Sequence, residues 1–345
     1  MGAPGLYERF RTKLEKDFKL SKSADNNVYL GCVIERLADH AIQIHQRPYI
    51  DDLLNKFRMA DCKPAKSPYQ SGVKLSKTQS PTTAEEKAEM SKCPYRQIVG
   101  SLLHLAKVAR PDIAHAVSSC ARYCNNPGKA HWNALKYILR YLKGTRNLAL
   151  VYGRAYPGIP FAPLHGYCDG SWGDDPDDRR SCSGYNFWAW GGPISWRSKR
   201  QQSVALSSCQ SEYMAASDAA REAVWLRRMY EMDLGYSDLT VETRGDLSER
   251  EYHGGKPLTI FEDNQGCIYL SRNPVSHKNN KHIEIRYHYV REQVAAGTLK
   301  LVKIDTKENV ADIHTKATAT STFVHLRDKI LHPREKPVHA SMDKP

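Results

Sequence analysis

Apolar residues in the first 160 positions recur mostly at helical spacing. In "AHWNALKYILRYLKGT" (130–145), Trp132, Leu135, Leu139 and Leu142 share one face and Lys136, Arg140 and Lys143 lie on others, which predicts an amphipathic helix. Gly144 stands where such a helix would end. "RPYIDDLLNKFRM" (47–59) places Ile50, Leu53, Leu54 and Phe57 in helical phase behind Pro48, a residue tolerated in a first turn. "YRQIVGSLLHLAKVARPDIAHAVSSCARYC" (95–124) is helical in pattern and broken at Pro111. Two β-rich stretches, 27–36 and 41–46, are strand candidates.

After residue 160 the period changes. "HGYCDGSW" (165–172), "CSGYNFWAWGG" (182–192) and "PISWRSKRQQSVALS" (193–207) read as three strands, the last two joined at Gly-Gly-Pro. Ser207 and Gln210 form a Ser-x-x-Gln cap for a long Ala-rich helix, 211–231. "PLTIFED" (257–263) is a fourth strand, 264–274 a short helix closed by Pro274, and 282–297 a longer helix stopped by Gly297. "LKLVKID" (299–305) is a fifth strand, and "NVADIHTKA" (309–317) opens a last helix. Polar or Gly/Pro-rich stretches at 76–92, 153–163 and 237–256 read as a soft segment, a linker and an inserted surface loop.

Charge divides the chain at the same place. The net charge is +13, and residues 1–160 hold 26 Lys+Arg against 13 Asp+Glu, while 161–345 hold 25 of each. A basic surface attracts phosphate backbones without reading their sequence; solubility alone is the plain alternative. No apolar run approaches the ~18 residues of a membrane span, and no secretory signal opens the chain. Nine cysteines without a Cys-x-x-Cys pair point to reduced thiols.

Three acids stand where the second set of elements begins or ends. Asp169 ends the first strand, Asp263 the fourth, and Glu212 lies early in the long helix. If the first and fourth strands are neighbours, the two aspartates project at one sheet edge and a packed helix can bring Glu212 over them; Asp312 can complete the group. Crowded carboxylates push each other's pKa up unless a cation neutralises them. Oxygen-only ligands suit Mg²⁺ or Mn²⁺, and a pair of such ions can activate water against a phosphodiester.

With these motifs placed, "CDGSW", "SEYMAA", "EDNQG" and "ENVADIHTK" resemble the four acidic motifs of ribonuclease H (RNase H). "DRRSCSGYNFWAWGGPISWRSKRQQSVALSS" and "KHIEIRYHYVRE" resemble the RNase H domain of copia-type LTR retrotransposon Pol polyproteins. "VYLGCVIER", "YIDDLLNKFRMADCKPAKSP" and "YRQIVGSLLHLAKVARPDIAHAV" resemble the end of the reverse transcriptase palm, the thumb and the connection of the same polyprotein. The resemblance runs over about residues 5–318.

It implies an α/β fold, an RNase H-like five-stranded mixed sheet with flanking helices, preceded by a smaller, mainly helical thumb and connection region. The implied division is 1–68 for the palm end and thumb, 69–160 for a basic helical connection, 161–320 for the RNase H-like domain and 321–345 for a C-terminal tail. The implied activity is endonucleolytic cleavage of the RNA strand of RNA/DNA hybrids with two Mg²⁺ ions, Mn²⁺ being possible. The alternative is a nucleic-acid-binding remnant without turnover. Asp169, Glu212, Asp263 and Asp312 match the family's four metal-binding acids: Asp169 would bridge both ions, Glu212 and Asp263 would fix the leaving-side ion, and Asp312 the ion that activates water. Ser171, Gln210, Asn264 and Gln265 are candidate contacts to the hybrid, with Lys278 and Lys281 for phosphate. Implied partners are the hybrid and the upstream polymerase part of the same Pol, with no membrane. The implied setting is intracellular, in a cytoplasmic virus-like particle, the nucleus or both.

The Tyr-x-Asp-Asp at 49–52 also matches the metal-holding tetrapeptide of reverse transcriptases. Its Asp51 and Asp52 are expected in the first turn of a thumb helix instead of a catalytic hairpin, so no DNA synthesis is expected. Ser171 replaces a second aspartate common in the family, and the loop before Asp312 lacks the histidine of cellular RNase H. His314 is expected to point away from the acids. Glu262 and the acids of "DDPDD" (174–178) read as a residue facing away and a solvated turn.

Overall fold

The computed structural model describes residues 6–19, 27–70, 72–156, 164–232, 257–273 and 285–337. The first part contains α1 (Leu6–Asp17), β1 (Val28–Tyr29), β2 (Cys32–Arg36), β3 (Ile42–His45), α2 (Arg47–Lys56), α3 (Ala84–Ser91), α4 (Tyr95–Val108), α5 (Ala114–Ala121), α6 (Lys129–Thr145) and β4 (Leu148–Tyr152). The second contains β5 (His165–Gly170), β6 (Cys182–Ala189), β7 (Gly192–Arg200), α7 (Ser208–Met232), β8 (Leu258–Glu262), α8 (Gln265–Arg272), α9 (Tyr289–Ala295), β9 (Leu299–Lys303), α10 (Thr320–Ile330) and β10 (His332–Pro333). Among the described residues no helix is long and apolar enough to cross a membrane.

The second part is the five-stranded mixed sheet expected of an RNase H-like fold, in the order β7-β6-β5-β8-β9. β5, β6 and β7 form an antiparallel meander, and β8 and β9 run parallel to β5. Trp190 and Gly191, both at positive φ, make the two-residue turn between β6 and β7, the geometry that matches the twist of paired strands. Alternation along the strands gives each face its own core. Cys168, Tyr185 and Ile260 meet α7, α8 and α9 on one side. Tyr167, Trp188 and Phe261 belong on the other side to a core with Leu102, Leu105, Ile113 and Leu139 of the helical part. Trp196 of β7 also donates its Nε1–H to the Ala106 carbonyl, at 2.6 Å. The helices that are basic outside are thus the second layer of this sheet.

Several elements differ from the sequence reading. Gly144 does not end α6, which runs to Thr145; a Cβ at Gly144 would lie 3.1 Å from Pro64 and 3.3 Å from the Ala65 carbonyl, so the glycine serves close approach. The strand expected over 193–207 stops at Arg200. The helix expected over 309–317 is a 3-10 turn, Val310–His314, capped by Asn309. Strand β4, absent from the sequence reading, follows α6 after the two-residue turn Arg146–Asn147 and pairs with β3 and β10. The stretch after 320, read as a tail, begins with α10, whose Phe323, Leu326 and Ile330 are fully buried.

The "DDPDD" turn is solvated only in part: Asp174 and Pro176 are exposed and Asp177 and Asp178 half-buried, but Asp175 is not. Asp175 is buried against Arg122 of the helical part at 2.5 Å and Arg200 of β7 at 3.1 Å. Asp177 accepts from Ser76 Oγ at 2.6 Å and from the Lys77 amide at 3.0 Å. Opposite charges and backbone donors from the first part draw these carboxylates out of water, and the turn bolts the two parts together. Asp51 and Asp52 lie on α2, behind Pro48, and Asp51 pairs with Arg146 at 3.0 Å. They are on a helix, as the period required, but past its first turn, because α2 already begins at Arg47.

Candidate active site

β5 and β8 are parallel neighbours with Tyr167 opposite Phe261, and continuing that register sets Asp169 opposite Asp263. Carboxylate oxygens of Asp169, Asp263 and Asp312 lie within 4.8 Å of one another, and Glu212, Glu262 and Asp263 form a second set at the same spacing. Asp263 belongs to both. Glu262, expected to face away, is therefore a correction: it is fully buried, accepting from Cys168 Sγ and from the Asn264 amide, both at 3.0 Å.

Glu212 reaches the sheet edge because Gly170 lets α7 close on β5. A Cβ at residue 170 would lie 2.5 Å from the Ser211 carbonyl oxygen and 2.9 Å from the Glu212 nitrogen. With that space empty, the Gly170 amide donates to the Glu212 carboxylate. Gly170→Ala is expected to destabilise the protein by about 1–3 kcal/mol, the usual cost of overpacking, and to push Glu212 off the cluster; a melting curve with an activity assay reads both.

Asp312 is placed by Asn309, whose Nδ2 donates to the Cys168 carbonyl at 2.9 Å and whose Oδ1 accepts from the Ala311 amide at 3.1 Å. The 3-10 turn is pinned to β5 by this buried side chain. Its next residues complete the site: Thr315 Oγ1 donates to Asp169, and the Lys316 ammonium lies 2.9 Å from Asp312 Oδ1 and 3.7 Å from Asp169 Oδ1.

The cluster fits a hard divalent cation. Its donors are all oxygens, and Asp169 Oδ1 and Asp312 Oδ1 are buried without accepting a hydrogen bond. The positive group beside both is Lys316, which pairs with Asp312 Oδ1 and lies farther from Asp169 Oδ1. Burial pushes the Asp169 carboxyl up, with Lys316 and Thr315 pulling back. Burial and the neighbouring Asp169 and Glu262 push Glu212 up. Burial and the Asp169 charge push Asp312 to about 8, and burial raises Glu262 to about 8.

These shifts fix the pH response of the metal-free protein. Both groups hold their protons more tightly when folded, so their contribution to stability is full below about pH 4, where the unfolded carboxyls also titrate, and is lost as pH rises through about 8. In chelator, the melting temperature is expected to fall over that window, and added Mg²⁺ to restore most at the alkaline end. A flat profile, insensitive to Mg²⁺, contradicts this.

The remaining candidates fall differently. Ser171 is buried, its Oγ accepting from the Cys182 amide at 3.0 Å. Gln210 is buried, its Oε1 accepting from the Leu206 amide at 2.7 Å. Asn264 caps α8, its Oδ1 accepting from the Cys267 amide at 3.0 Å, and Gln265 is exposed beside it. Lys278 and Lys281 lie outside the described residues. His314 is buried with Nε2 2.9 Å from Asn186 Nδ2, turned to β6. Sequence reasoning missed Glu262, Asn309 and Lys316. Only the i, i+4 spacing of Asp312 and Lys316 could have signalled one of them.

No family model matches the chain. It is 39% identical over 320 residues, 92% of its own length, to the retrovirus-related Pol polyprotein from transposon TNT 1-94 of Nicotiana tabacum. It is 30% identical to the putative transposon Ty5-1 protein YCL074W of Saccharomyces cerevisiae, covering 64% of this chain and 68% of that one. The solved RNase H1 of Halobacterium salinarum overlaps 44% of this chain and 93% of its own at 14% identity, with a TM-score of 0.28, too slight an overlap to weigh here. The chain spans about a fifth of the length of the plant Pol polyproteins it matches. Together with the strand order and the acids at its edge, these matches show that the chain belongs to the copia-type retrotransposon Pol family and carries its RNase H-like region.

Proposed function

We propose that this chain cleaves the RNA strand of RNA/DNA hybrids with divalent metal, as the RNase H of a retrotransposon Pol, and that its basic first part holds the nucleic acid. The observation that carries the reading is the convergence of Asp169, Glu212, Asp263 and Asp312, from four separate elements, on one sheet edge. Asp169 and Asp312 would hold an ion on the side of Lys316, Glu212 would hold one on the other, and Asp263, common to both sets, would serve both; Glu262 adds charge to the second set. Ions bound there would supply an activated water and neutralise the leaving oxygen.

The chain's own residues set the stage for that chemistry. Thr315 fixes one oxygen of Asp169, leaving the other free to ligate. Gly170 and Asn309 hold Glu212 and Asp312 to the strand, so the ligands are positioned before any substrate arrives. Lys316 neutralises part of the charge between Asp169 and Asp312.

The test is cleavage of one sequence prepared as end-labelled RNA/DNA hybrid, single-stranded RNA and DNA duplex, each with Mg²⁺ and with chelator. Cleavage confined to the RNA of the hybrid and to Mg²⁺ is expected. A folded chain that binds the hybrid and leaves it intact would be the non-catalytic remnant. Primer extension is expected to be absent.

A further inference from the structure

The rim of the acidic cluster carries large apolar side chains in the open. Trp172, three residues after Asp169, is 53% exposed, and Val204 and Leu206 are 45% and 67% exposed. They form one patch: the Trp172 indole N–H donates to the Ala205 carbonyl, between the other two, at 3.0 Å. The patch is held from beneath. Leu206's amide is taken by Gln210 Oε1, Ser171's backbone and hydroxyl are bonded to Cys182, and Gln201 Nε2 donates to Ser183 Oγ and to the Ser211 carbonyl, both at 2.9 Å. Polar groups that could face a ligand are thus spent inside, and they fix the tryptophan's loop and the loop entering α7 as one rigid edge. That edge joins Asp169 on one side to Glu212 on the other, and β7 leads to it with Arg197 and Lys199 exposed.

Resting on the hybrid-cleaving reading, we infer that Trp172, with Val204 and Leu206, is an apolar wedge that seats against the sugars of the hybrid's minor groove and helps select hybrid over DNA duplex. The groove of an A-like helix is wide and shallow, so a broad, pre-positioned indole can lie against its ribose edges. The minor groove of B-DNA is only about 6 Å wide and takes an apolar wedge only at the cost of unstacking and kinking the duplex. Trp172 follows Asp169 by three residues and Leu206 precedes Glu212 by six, so the patch is continuous with the cluster along the chain, and the exposed cations on β7 suit a phosphate-bearing occupant over an apolar one.

The test compares the intact chain with Trp172→Ala, Trp172→Phe and Leu206→Asp. Binding to hybrid and to DNA duplex of one sequence is read by anisotropy in metal-free buffer, and cleavage kinetics in Mg²⁺. Trp172→Ala is expected to weaken hybrid binding about tenfold, as loss of an aromatic contact to nucleic acid does, and to leave duplex binding unchanged. The loss falls on KM more than on kcat, and Trp172→Phe restores most of it. Leu206→Asp, at an exposed position that costs no packing, shifts hybrid binding the same way. Unchanged hybrid affinity in Trp172→Ala and Leu206→Asp overturns the inference, as does an equal loss on duplex. If the intact chain binds hybrid through Trp172 but does not cleave it, the wedge stands and the nuclease reading fails. If it cleaves and these variants bind hybrid as before, the reverse holds.

Discussion

Asp263→Asn is expected to remove nearly all hybrid cleavage while leaving the fold intact. Among the described residues Asp263 is the carboxylate common to both acidic sets, so its loss weakens both ion positions at once. Asparagine keeps the size and one oxygen and removes the charge. Changing mere outer-shell partners of a metal site costs about 10–100-fold, so a direct ligand shared by two sets is expected to cost more than about a hundredfold. The metal-free melting temperature is expected to hold or rise, because one source of repulsion among crowded carboxylates is gone. The rise in melting temperature on adding Mg²⁺ is expected to shrink together with the rate. A variant that cleaves at close to the unmutated rate would sink the assignment of this site.

The largest effect on stability is expected outside the acidic cluster. Arg110 and Asp112 flank the proline that breaks the helical run, and both are buried, at 1% and 0% exposure. Arg110 donates to both Asp112 oxygens, at 2.9 and 2.7 Å, and to Thr145 Oγ1 at 2.7 Å; the Tyr141 hydroxyl donates to the same carboxylate. Asp112→Ala leaves a guanidinium buried without its counter-charge and a tyrosine hydroxyl without an acceptor. Removing one partner of such a pair costs about 3–5 kcal/mol, which urea unfolding would read as a large drop in midpoint. Adding Arg110→Met to that variant is expected to recover part of the loss, since the unpaired charge goes with it. A single variant that unfolds within about 1 kcal/mol of the unmutated chain would show that water or a shifted backbone satisfies Arg110. The network ties α6 to the Pro111 turn, under the face of the sheet that the helical part covers, so this pair also supports the layer behind the acids.

Much of this architecture was legible before any coordinates. Apolar spacing located α2, α4 and α6, because a helix that buries one face must repeat near 3.6 residues, and a Ser-x-x-Gln cap before an Ala-rich run located α7. Strand β4 escaped because it is apolar without alternation and joins α6 through a turn of only two residues, Arg146 and Asn147. The 3-10 turn at 310–314 escaped because its length is set by a tertiary bond, Asn309 to the Cys168 carbonyl, and by no local propensity. The charge split of the chain survived as well, but its meaning changed. The basic helices proved to be a packed layer of the sheet, with their charged faces outward.

For the site, the chain order of four acids at element ends, together with the family resemblance, was enough to name Asp169, Glu212, Asp263 and Asp312. Their chemistry is carried by residue type and by position at strand or helix ends, which sequence records directly. The tertiary structure alone decided which further groups share their space. Glu262 faces inward because Cys168 on the neighbouring strand meets it, Lys316 lies between two aspartates because a short turn carries it there, and Trp172 stays outside because Ala205 holds its indole. Each depends on a partner far away in sequence, about 30 to 150 residues off. Periodicity reports how a segment relates to its own core, and is silent on which distant side chain it will meet.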